Sequence, residues 1–332
     1  MPELNYINLY TTDPCFNLAA EQFVFDSLPR DRSYFMLWQN DNAVIIGKYQ
    51  NAFSEVNEAF VAEHGIKVVR RLSGGGAVYH DLGNLNYTFV TDAAEDESIN
   101  LRFFCEIVVK ALEKLGLHAE VNGRNDITLE GRKISGNAQY LREGRVMHHG
   151  TLLFDSNLGM VQNVLHVDPE KIRSKGVKSV RSRVGNIVDS LPEEIDIAAF
   201  RRALLESVLE GNDAQEYCFS PTDIAAIENI RDQRYSLWEW NYGRSPECTV
   251  VKSGRIEGVG RLEAYLTIDR AVVTGLEFRG DFFSGRNPEE LAQRFLGKKA
   301  AAEEYAKILE EVNVSAYITG LTADELTGLL TS

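Results

Sequence analysis

The segment from Arg70 to Asn86 has the composition of an anion-binding turn. Two arginines precede three consecutive glycines, Gly74, Gly75 and Gly76, and an apolar run typical of a strand comes before them. Glycines let a backbone approach a ligand closely and turn several N–H groups toward one anion. The segment lacks the Gly-Lys-Ser/Thr of a P-loop and the spacing of a dinucleotide fingerprint. A flexible structural turn would explain this segment alone equally well.

The second candidate for chemistry is Lys133, in the predicted strand that follows Asp126. Alternation along a strand places Lys133 and Ser135 on the same face. A lysine on an inward face is costly unless it meets an anion. Two interpretations stay open: a stabilising ion pair with Asp126, or a lysine that binds phosphate and carboxylate while Asp126 gives Mg²⁺ an oxygen ligand.

Three histidines, His80, His148 and His149, are candidate metal ligands or bases. The adjacent His148 and His149 face opposite ways on a strand, so we expect one on the surface and one in a pocket rather than a shared metal. His80, where an apolar run passes into a loop, is expected to be a hydrogen-bonded structural residue rather than a general base.

A basic segment lies between Lys171 and Arg183. It holds six lysines and arginines in a chain whose formal net charge is −14. Glycines and serines between the cations favour a mobile loop that closes over phosphates, although a solvated loop is the alternative.

Composition limits the classes of function. The strongly acidic balance argues against general affinity for nucleic acid or anionic membranes. The longest apolar runs are far too short to cross a bilayer, and no signal peptide is visible, so we expect a cytoplasmic protein. Four scattered cysteines without CxxC spacing indicate reduced thiols rather than a disulfide or zinc framework.

The elements that position these residues combine helices and strands. Asp13-Pro14 predicts a helix to about Leu28, and apolar periodicity predicts another from Ser98 to Leu115. Strands and helices are interspersed without strict alternation, which favours an α+β fold. The predicted strands are Tyr34–Trp38, Ala43–Gly47, Lys67–Arg71, Leu85–Val90, Asp126–Leu129, Arg132–Tyr140 and Arg145–Phe154.

The pattern restarts near Ser245 with three further strands and helices that begin at Asn287, Lys298 and Thr322. The last of these carries a capping box formed by Thr322 and Glu325. Two domains are therefore predicted, a larger one at 1–244 and a smaller one at 245–332.

These motifs, in this order, resemble the lipoate–protein ligase family over essentially the whole chain. The matching segments are RRLSGGGAVYHDLGNLN, GRNDITLEGRKISGNAQY, HHGTLLF and KGVKSVRSRVGN. The resemblance implies a mixed-sheet α+β catalytic domain of the biotin/lipoate ligase type with a smaller α+β C-terminal domain. It implies ATP-dependent activation of lipoate to lipoyl-AMP and transfer to a lysine of lipoyl-domain proteins in lipoate scavenging. The implied acceptors are E2 subunits of 2-oxoacid dehydrogenases and the glycine cleavage H protein.

The resemblance also implies roles for individual residues. Lys133 is the expected catalytic residue, touching both the lipoyl carbonyl and the phosphate, and Asp126 is the expected Mg²⁺ ligand. Expected contacts to ATP or the adenylate are Arg71, Gly76, Ala77, Val78, Tyr79, Lys133, Gly176, Val177, Lys178, Ser179, Val180 and Arg181. Expected lipoate contacts are Ser73, Gly74, Gly75, Lys133 and His149. In one departure, Tyr140 stands where some members have an arginine.

Three other functions are compatible with parts of the sequence. An ATP-independent lipoyl or octanoyl transferase that works through a cysteine needs a thiol in the site, and no cysteine falls in a motif. A biotin ligase is disfavoured by the form of the glycine segment. A non-catalytic protein that binds lipoate or lipoyl domains is disfavoured because Lys133 and the basic segment are both kept.

Overall fold

The computed structural model describes residues 3–50, 52–92, 101–123, 125–165, 184–211, 213–242, 250–269 and 272–331. Helices and strands are interspersed along the chain, so the predicted α+β class is confirmed. Within these residues no helix is both long and apolar enough to span a membrane.

The strands are named in chain order. They are β1 (Leu4–Asn8), β2 (Ser33–Trp38), β3 (Ala43–Ile46), β4 (Lys67–Arg70), β5 (Val78–His80), β6 (Asn84–Asp92), β7 (Ala119–Asn122), β8 (Asp126–Leu129), β9 (Arg132–Arg142), β10 (Arg145–Leu153), β11 (Gln215–Glu216), β12 (Val250–Ile256), β13 (Gly260–Asp269) and β14 (Val272–Gly280). The helices are α1 (Pro14–Ser27), α2 (Ala52–Glu55), α3 (Glu58–Glu63), α4 (Leu101–Lys114), α5 (Met160–Val164), α6 (Ile197–Leu209), α7 (Pro221–Ile230), α8 (Trp238–Asn241), α9 (Pro288–Gln293), α10 (Ala302–Glu310), α11 (Val314–Tyr317) and α12 (Ala323–Thr331).

A mixed eight-stranded sheet, ordered β11-β1-β2-β6-β10-β9-β8-β7, forms the centre of the larger unit. Strand β2 is buried on both faces, which explains its almost continuous apolar sequence. Phe35 and Leu37 join the core on the side of α4 and α6, whereas Tyr34, Met36 and Trp38 join the core on the side of α1. A smaller sheet, ordered β4-β3-β5, carries the glycine segment between β4 and β5.

Helix α1 begins where the sequence predicts. The Asp13 side chain accepts a hydrogen bond from the Phe16 N–H at 3.3 Å, and Pro14 occupies the first helical position. The helix packs between the large sheet and α7, so it is buried on more than one side. Its buried polar residues, Asn17 and Glu21, must therefore find partners inside the protein.

The predicted start of a helix at Lys298 is wrong, because the helix begins several residues later. Lys298 and Lys299 instead run beside β14: the Lys298 carbonyl accepts the Val273 N–H at 2.8 Å, and Lys299 forms an antiparallel bridge with Val272. Helix α10 can begin only after this pairing, at Ala302. The Asp168-Pro169 pair also predicts the start of a helix, and these residues lie outside the described part of the chain.

The C-terminal unit is a three-stranded antiparallel meander, β12-β13-β14, covered by short helices. The predicted capping box is confirmed, because the Thr322 hydroxyl and the Glu325 carboxylate each bond the other residue's backbone N–H. The proposed division at 244/245 falls within residues 243–249, outside the described part, and stays a prediction. Cys15, Cys105 and Cys218 are free thiols, as expected; Cys248 is also outside that part.

Candidate functional site

The glycine segment is folded around the guanidinium of Arg71. This side chain donates to the carbonyls of Gly74 at 2.7 Å and Gly76 at 2.9 Å, and its Nε donates to Ser73 Oγ at 3.0 Å. Burial lowers the pKa of Arg71 to about 10, and the Glu21 carboxylate opposes that shift. The residue expected to contact ATP therefore also holds the shape of the loop.

Two glycines of this loop are required by geometry. Gly75 has φ +94, a conformation that side chains rarely adopt. A Cβ on Gly74 would overlap the carbonyl of Phe282, which belongs to the C-terminal unit. Packing and backbone conformation therefore require glycine at these two positions, whether or not a ligand binds there.

Arg70 points away from the loop, as alternation predicts. Its guanidinium donates to the carbonyls of Gln50 at 2.6 Å and Asn241 at 2.8 Å, among others. Burial lowers its pKa to about 9. Arg70 therefore ties the β3–α2 connection to α8 and has a structural role.

The residues that follow the glycines are partly exposed. Gly76, Ala77, Val78 and Tyr79 are each of intermediate exposure, so a ligand can approach this stretch of chain. His80 is buried, its Nδ1 lies 3.1 Å from the Asn40 amide, and burial lowers its pKa to about 3. The expected structural role of His80 is confirmed.

Lys133 and Asp126 form an ion pair at the edge of the large sheet. The Lys133 Nζ lies 2.7 Å from Asp126 Oδ1, with the two side chains 32% and 21% exposed. The pair is therefore within reach of an incoming anion. A register shift between Ile127 and Thr128 interrupts the alternation that the sequence prediction assumed. The Lys133 stem folds over Gly136, where a Cβ would lie 3.0 Å from Nζ.

The residues of the basic segment that are expected to contact ATP lie outside the described part of the chain. They are Gly176, Val177, Lys178, Ser179, Val180 and Arg181. The chain re-enters that part beside Lys133: Val184 forms a parallel bridge with Lys133, and the Gly185 N–H donates to the Lys133 carbonyl at 3.0 Å. Val184 and Gly185, the residues directly after the basic segment in sequence, are thereby paired with the strand that carries the expected catalytic lysine.

His148 and His149 are both buried, so the expectation of one surface histidine is wrong. Strand β10 lies between β6 and β9 inside the sheet, and both of its faces are covered. His148 lies between Gln139 and Asn137, and burial lowers its pKa well below the usual range. His149 faces the glycine loop instead.

His149 joins the glycine loop to helix α1. Its Nε2 lies 2.6 Å from Ser73 Oγ, and its Nδ1 lies 3.0 Å from Glu21 Oε1. Sequence reasoning missed Glu21. The available signal was an acid on the same predicted helix face as Leu18 and Phe25, a position where a charge needs a buried partner.

The C-terminal unit contacts the same loop, which the sequence did not predict. The Gly75 N–H donates to the Phe282 carbonyl at 3.0 Å, and the Phe282 ring stacks on Tyr49 with centroids 4.8 Å apart. Phe283 is buried against Leu101 and Ala138. The site therefore lies where the two units meet.

Tyr140, the departure from the family pattern, is accompanied by a nearby cation. The Lys48 ammonium lies 5.5 Å from the centroid of the Tyr140 ring, and burial lowers the pKa of Lys48. The Lys48 N–H donates to the Ser73 carbonyl at 2.8 Å, so this lysine borders the glycine loop.

Comparisons with known proteins agree with this geometry. Residues 13–209 match the family model described as the lipoyl protein ligase A/B catalytic domain, and residues 245–330 match the bacterial lipoate protein ligase C-terminus. Lipoate-protein ligase LplJ of Bacillus subtilis is 41% identical, covering 97% of this chain and 98% of its own length.

Two solved structures are similar. A bi-partite lipoate protein ligase from Thermoplasma acidophilum, described with its E2 lipoyl domain, has a TM-score of 0.67 and 33% identity, covering 75% of this chain and 100% of that one. A lipoate-protein ligase A bound with ATP has a TM-score of 0.64 and 31% identity, covering 73% of this chain and 99% of that one. With the glycine loop, the Lys133–Asp126 pair and both family models in place, the chain belongs to the lipoate–protein ligase family.

Proposed function

We propose that this ligase works in two steps, first making lipoyl-AMP from lipoate and ATP and then passing the lipoyl group to a lysine of an acceptor protein. The observation that carries the proposal is the accessible Lys133 ammonium, on the strand that pairs with Val184, the residue directly after the basic segment in sequence. The relative solved with ATP supports the choice of nucleotide.

In the first step the lipoate carboxylate attacks the α-phosphate of ATP, and pyrophosphate leaves. Both reactants are anions, so cations must offset their repulsion and the charge that develops in the transition state. The Lys133 ammonium would exchange its contact with Asp126 for contacts to the lipoate carboxylate and the α-phosphate. Lys178 and Arg181 of the basic segment would add to that positive charge, and Gly76 to Tyr79 would contact the nucleotide.

A divalent cation suits the same place. Mg²⁺ typically binds one or two carboxylates together with substrate phosphates. Asp126 offers a carboxylate that is partly exposed and adjacent to the cation expected to bind phosphate, so the donor set fits. When bound there, Mg²⁺ would supply further neutralisation of phosphate charge.

In the second step the acceptor amine attacks the lipoyl carbonyl, and AMP leaves. Lys133 acts as an electrostatic anchor for the carbonyl oxygen and the phosphate, not as the nucleophile. Ser73, Gly74, Gly75 and His149 would hold the acyl group beside it. We propose lipoyl domains of E2 subunits and the glycine cleavage H protein as acceptors, in the cytoplasm; the solved relative described with its E2 lipoyl domain supports the first of these.

Lipoate-dependent exchange of labelled pyrophosphate into ATP tests the first step separately from the acceptor. The purified full-length chain with ATP, Mg²⁺ and lipoate should exchange label, and omitting lipoate should abolish the exchange. Acyl transfer to a lipoyl domain without any exchange would instead favour an ATP-independent transferase.

A further inference from the structure

Ser73, His149 and Glu21 form a buried hydrogen-bonded chain beside the glycine loop. Ser73 and Glu21 are each 1% exposed and His149 is 8% exposed. The chain runs from Ser73 Oγ to His149 Nε2 at 2.6 Å and from His149 Nδ1 to Glu21 Oε1 at 3.0 Å. The two-step mechanism uses neither Glu21 nor the link between His149 and Ser73.

The donors and acceptors of this chain fix its protons. An ionised Glu21 can only accept, so His149 carries a hydrogen on Nδ1. A neutral His149 ring must then accept the Ser73 O–H at Nε2. The only hydrogen of Ser73 is then donated to His149, while its Oγ accepts the Arg71 Nε–H at 3.0 Å. In this state Ser73 has none to donate to a substrate.

Glu21 is itself held in place from the other side. The Thr88 hydroxyl donates to Glu21 Oε1 at 2.5 Å and accepts the Trp38 Nε1–H at 2.9 Å. With its acceptor oxygen oriented by a second donor, Glu21 fixes the His149 ring as the buried carboxylate of a catalytic triad fixes its histidine.

The ionisable groups around His149 lie on helix α1, in the glycine loop and on strand β5, as well as on its own strand. Glu21 on α1 brings a negative charge and Arg71 in the loop a positive one, while His80 on β5 is neutral because burial lowers its pKa to about 3. His148, next to it on β10, is also neutral, since burial lowers its pKa well below the usual range. With neutral His149 this group carries no net charge, so by itself it offers no positive charge to an entering carboxylate.

We propose that Glu21 and His149 are positioning residues, and that the His149 ring takes up a proton when a carboxylate substrate enters the glycine loop. The proton comes from solvent, and the resulting imidazolium donates to Glu21 and to Ser73 Oγ. The Ser73 O–H then turns from His149 to the carboxylate, and the added positive charge offsets the charge of the ligand. This deepens the proposed function and rests on it, because it takes the lipoate carboxylate as the ligand of Ser73.

Proton uptake can be measured without catalysis. Lipoate is titrated calorimetrically into the full-length chain in two buffers of different ionisation enthalpy, such as Hepes and Tris, at the same pH just above neutrality. The wild-type protein should take up close to one proton per lipoate bound. In Glu21→Gln the uptake should be lost and lipoate affinity should fall about 10-fold or more, because a neutral amide no longer favours the imidazolium.

Two further variants test whether His149 is the group that takes up the proton. Two possible results with the wild type separate this inference from the proposed function. His149→Asn, which cannot take up this proton, should behave like Glu21→Gln, whereas the neighbouring His148→Gln should keep the uptake. Wild-type binding with the same observed enthalpy in both buffers would overturn the inference while leaving the proposed function intact. No lipoate binding by wild type would instead refute the proposed lipoate site, and with it the role of Ser73.

Discussion

Replacing Lys133 with methionine separates its role in the fold from its role in the reaction. Methionine keeps the aliphatic stem that folds over Gly136 and removes only the ammonium. The lost contact is the ion pair with Asp126 at 2.7 Å, in which both side chains are partly exposed. Partly exposed pairs contribute about 1 kcal/mol or less, so the free energy of unfolding should fall by no more than that.

The effect on the reaction should be much larger. Removing one group that stabilises developing charge typically lowers the rate about 10²- to 10³-fold, or roughly 3–4 kcal/mol. The assay is lipoate-dependent ATP–pyrophosphate exchange at saturating substrates, with urea unfolding measured on the same preparation. Lys67→Met is the matched control, because Lys67 also pairs with an aspartate, Asp13, at 2.9 Å and has no part in the proposed reaction.

The reasoning would be refuted if Lys133→Met retained exchange within about threefold of wild type. It would also fail if Lys67→Met lost exchange to the same degree. A third contrary result would be a fall in the unfolding free energy of Lys133→Met as large as the rise in its activation free energy. Any of these results would make the ion pair with Asp126 a structural contact only.

Three further predictions concern the loop and the C-terminal unit. Gly74→Ala should lower the free energy of unfolding by about 1–3 kcal/mol in urea, because the new methyl overlaps the Phe282 carbonyl. Arg71→Lys should lower it by about 2 kcal/mol or more, since a lysine leaves buried carbonyls of the loop without donors. In Glu325, hydrogen bonds from Thr322 lower the pKa of the carboxyl, so its stabilisation is present above the ordinary pKa and lost as pH falls through the lowered one. The difference in unfolding free energy between wild type and Glu325→Gln should therefore be seen near neutral pH and disappear once the pH falls below the lowered pKa.

Each of these predictions has a clear contrary outcome. Gly328, where an added Cβ meets nothing within 4 Å, is the matched control for Gly74, and Gly328→Ala should be neutral or slightly stabilising. Equal destabilisation by the two alanines would contradict the overlap with Phe282. An Arg71→Lys variant as stable as wild type would show that the loop does not depend on the guanidinium, and a Glu325→Gln difference that persists in acid would exclude the carboxylate as its source.

Local signals in the sequence predicted much of the fold. Asp13 and Pro14 mark the start of α1 because a cap and a fixed φ act within one turn, independently of the rest of the chain. The apolar run of β2, the strand pattern of β6 and the capping box at Thr322 were equally readable. Where pairing with a distant segment decided the outcome, as at Lys298, local pattern gave the wrong boundary.

The site was only partly predictable for the same reason. The sequence singled out the glycine segment and the pairing of Lys133 with Asp126, but the contact of Glu21 with His149 joins residues far apart in sequence. No periodicity reports which buried acid meets which histidine, nor that Phe282 of the C-terminal unit would occupy the Gly75 N–H. Such pairings depend on how whole elements pack, and only the three-dimensional structure displays them.

The most direct test of the central claim is mass spectrometry of an E2 lipoyl domain after incubation with the full-length chain, ATP, Mg²⁺ and lipoate. The account predicts the mass of one added lipoyl group, on a lysine, only when both ATP and lipoate are present. Addition of the group without ATP, or an unmodified domain despite measurable pyrophosphate exchange, would contradict it.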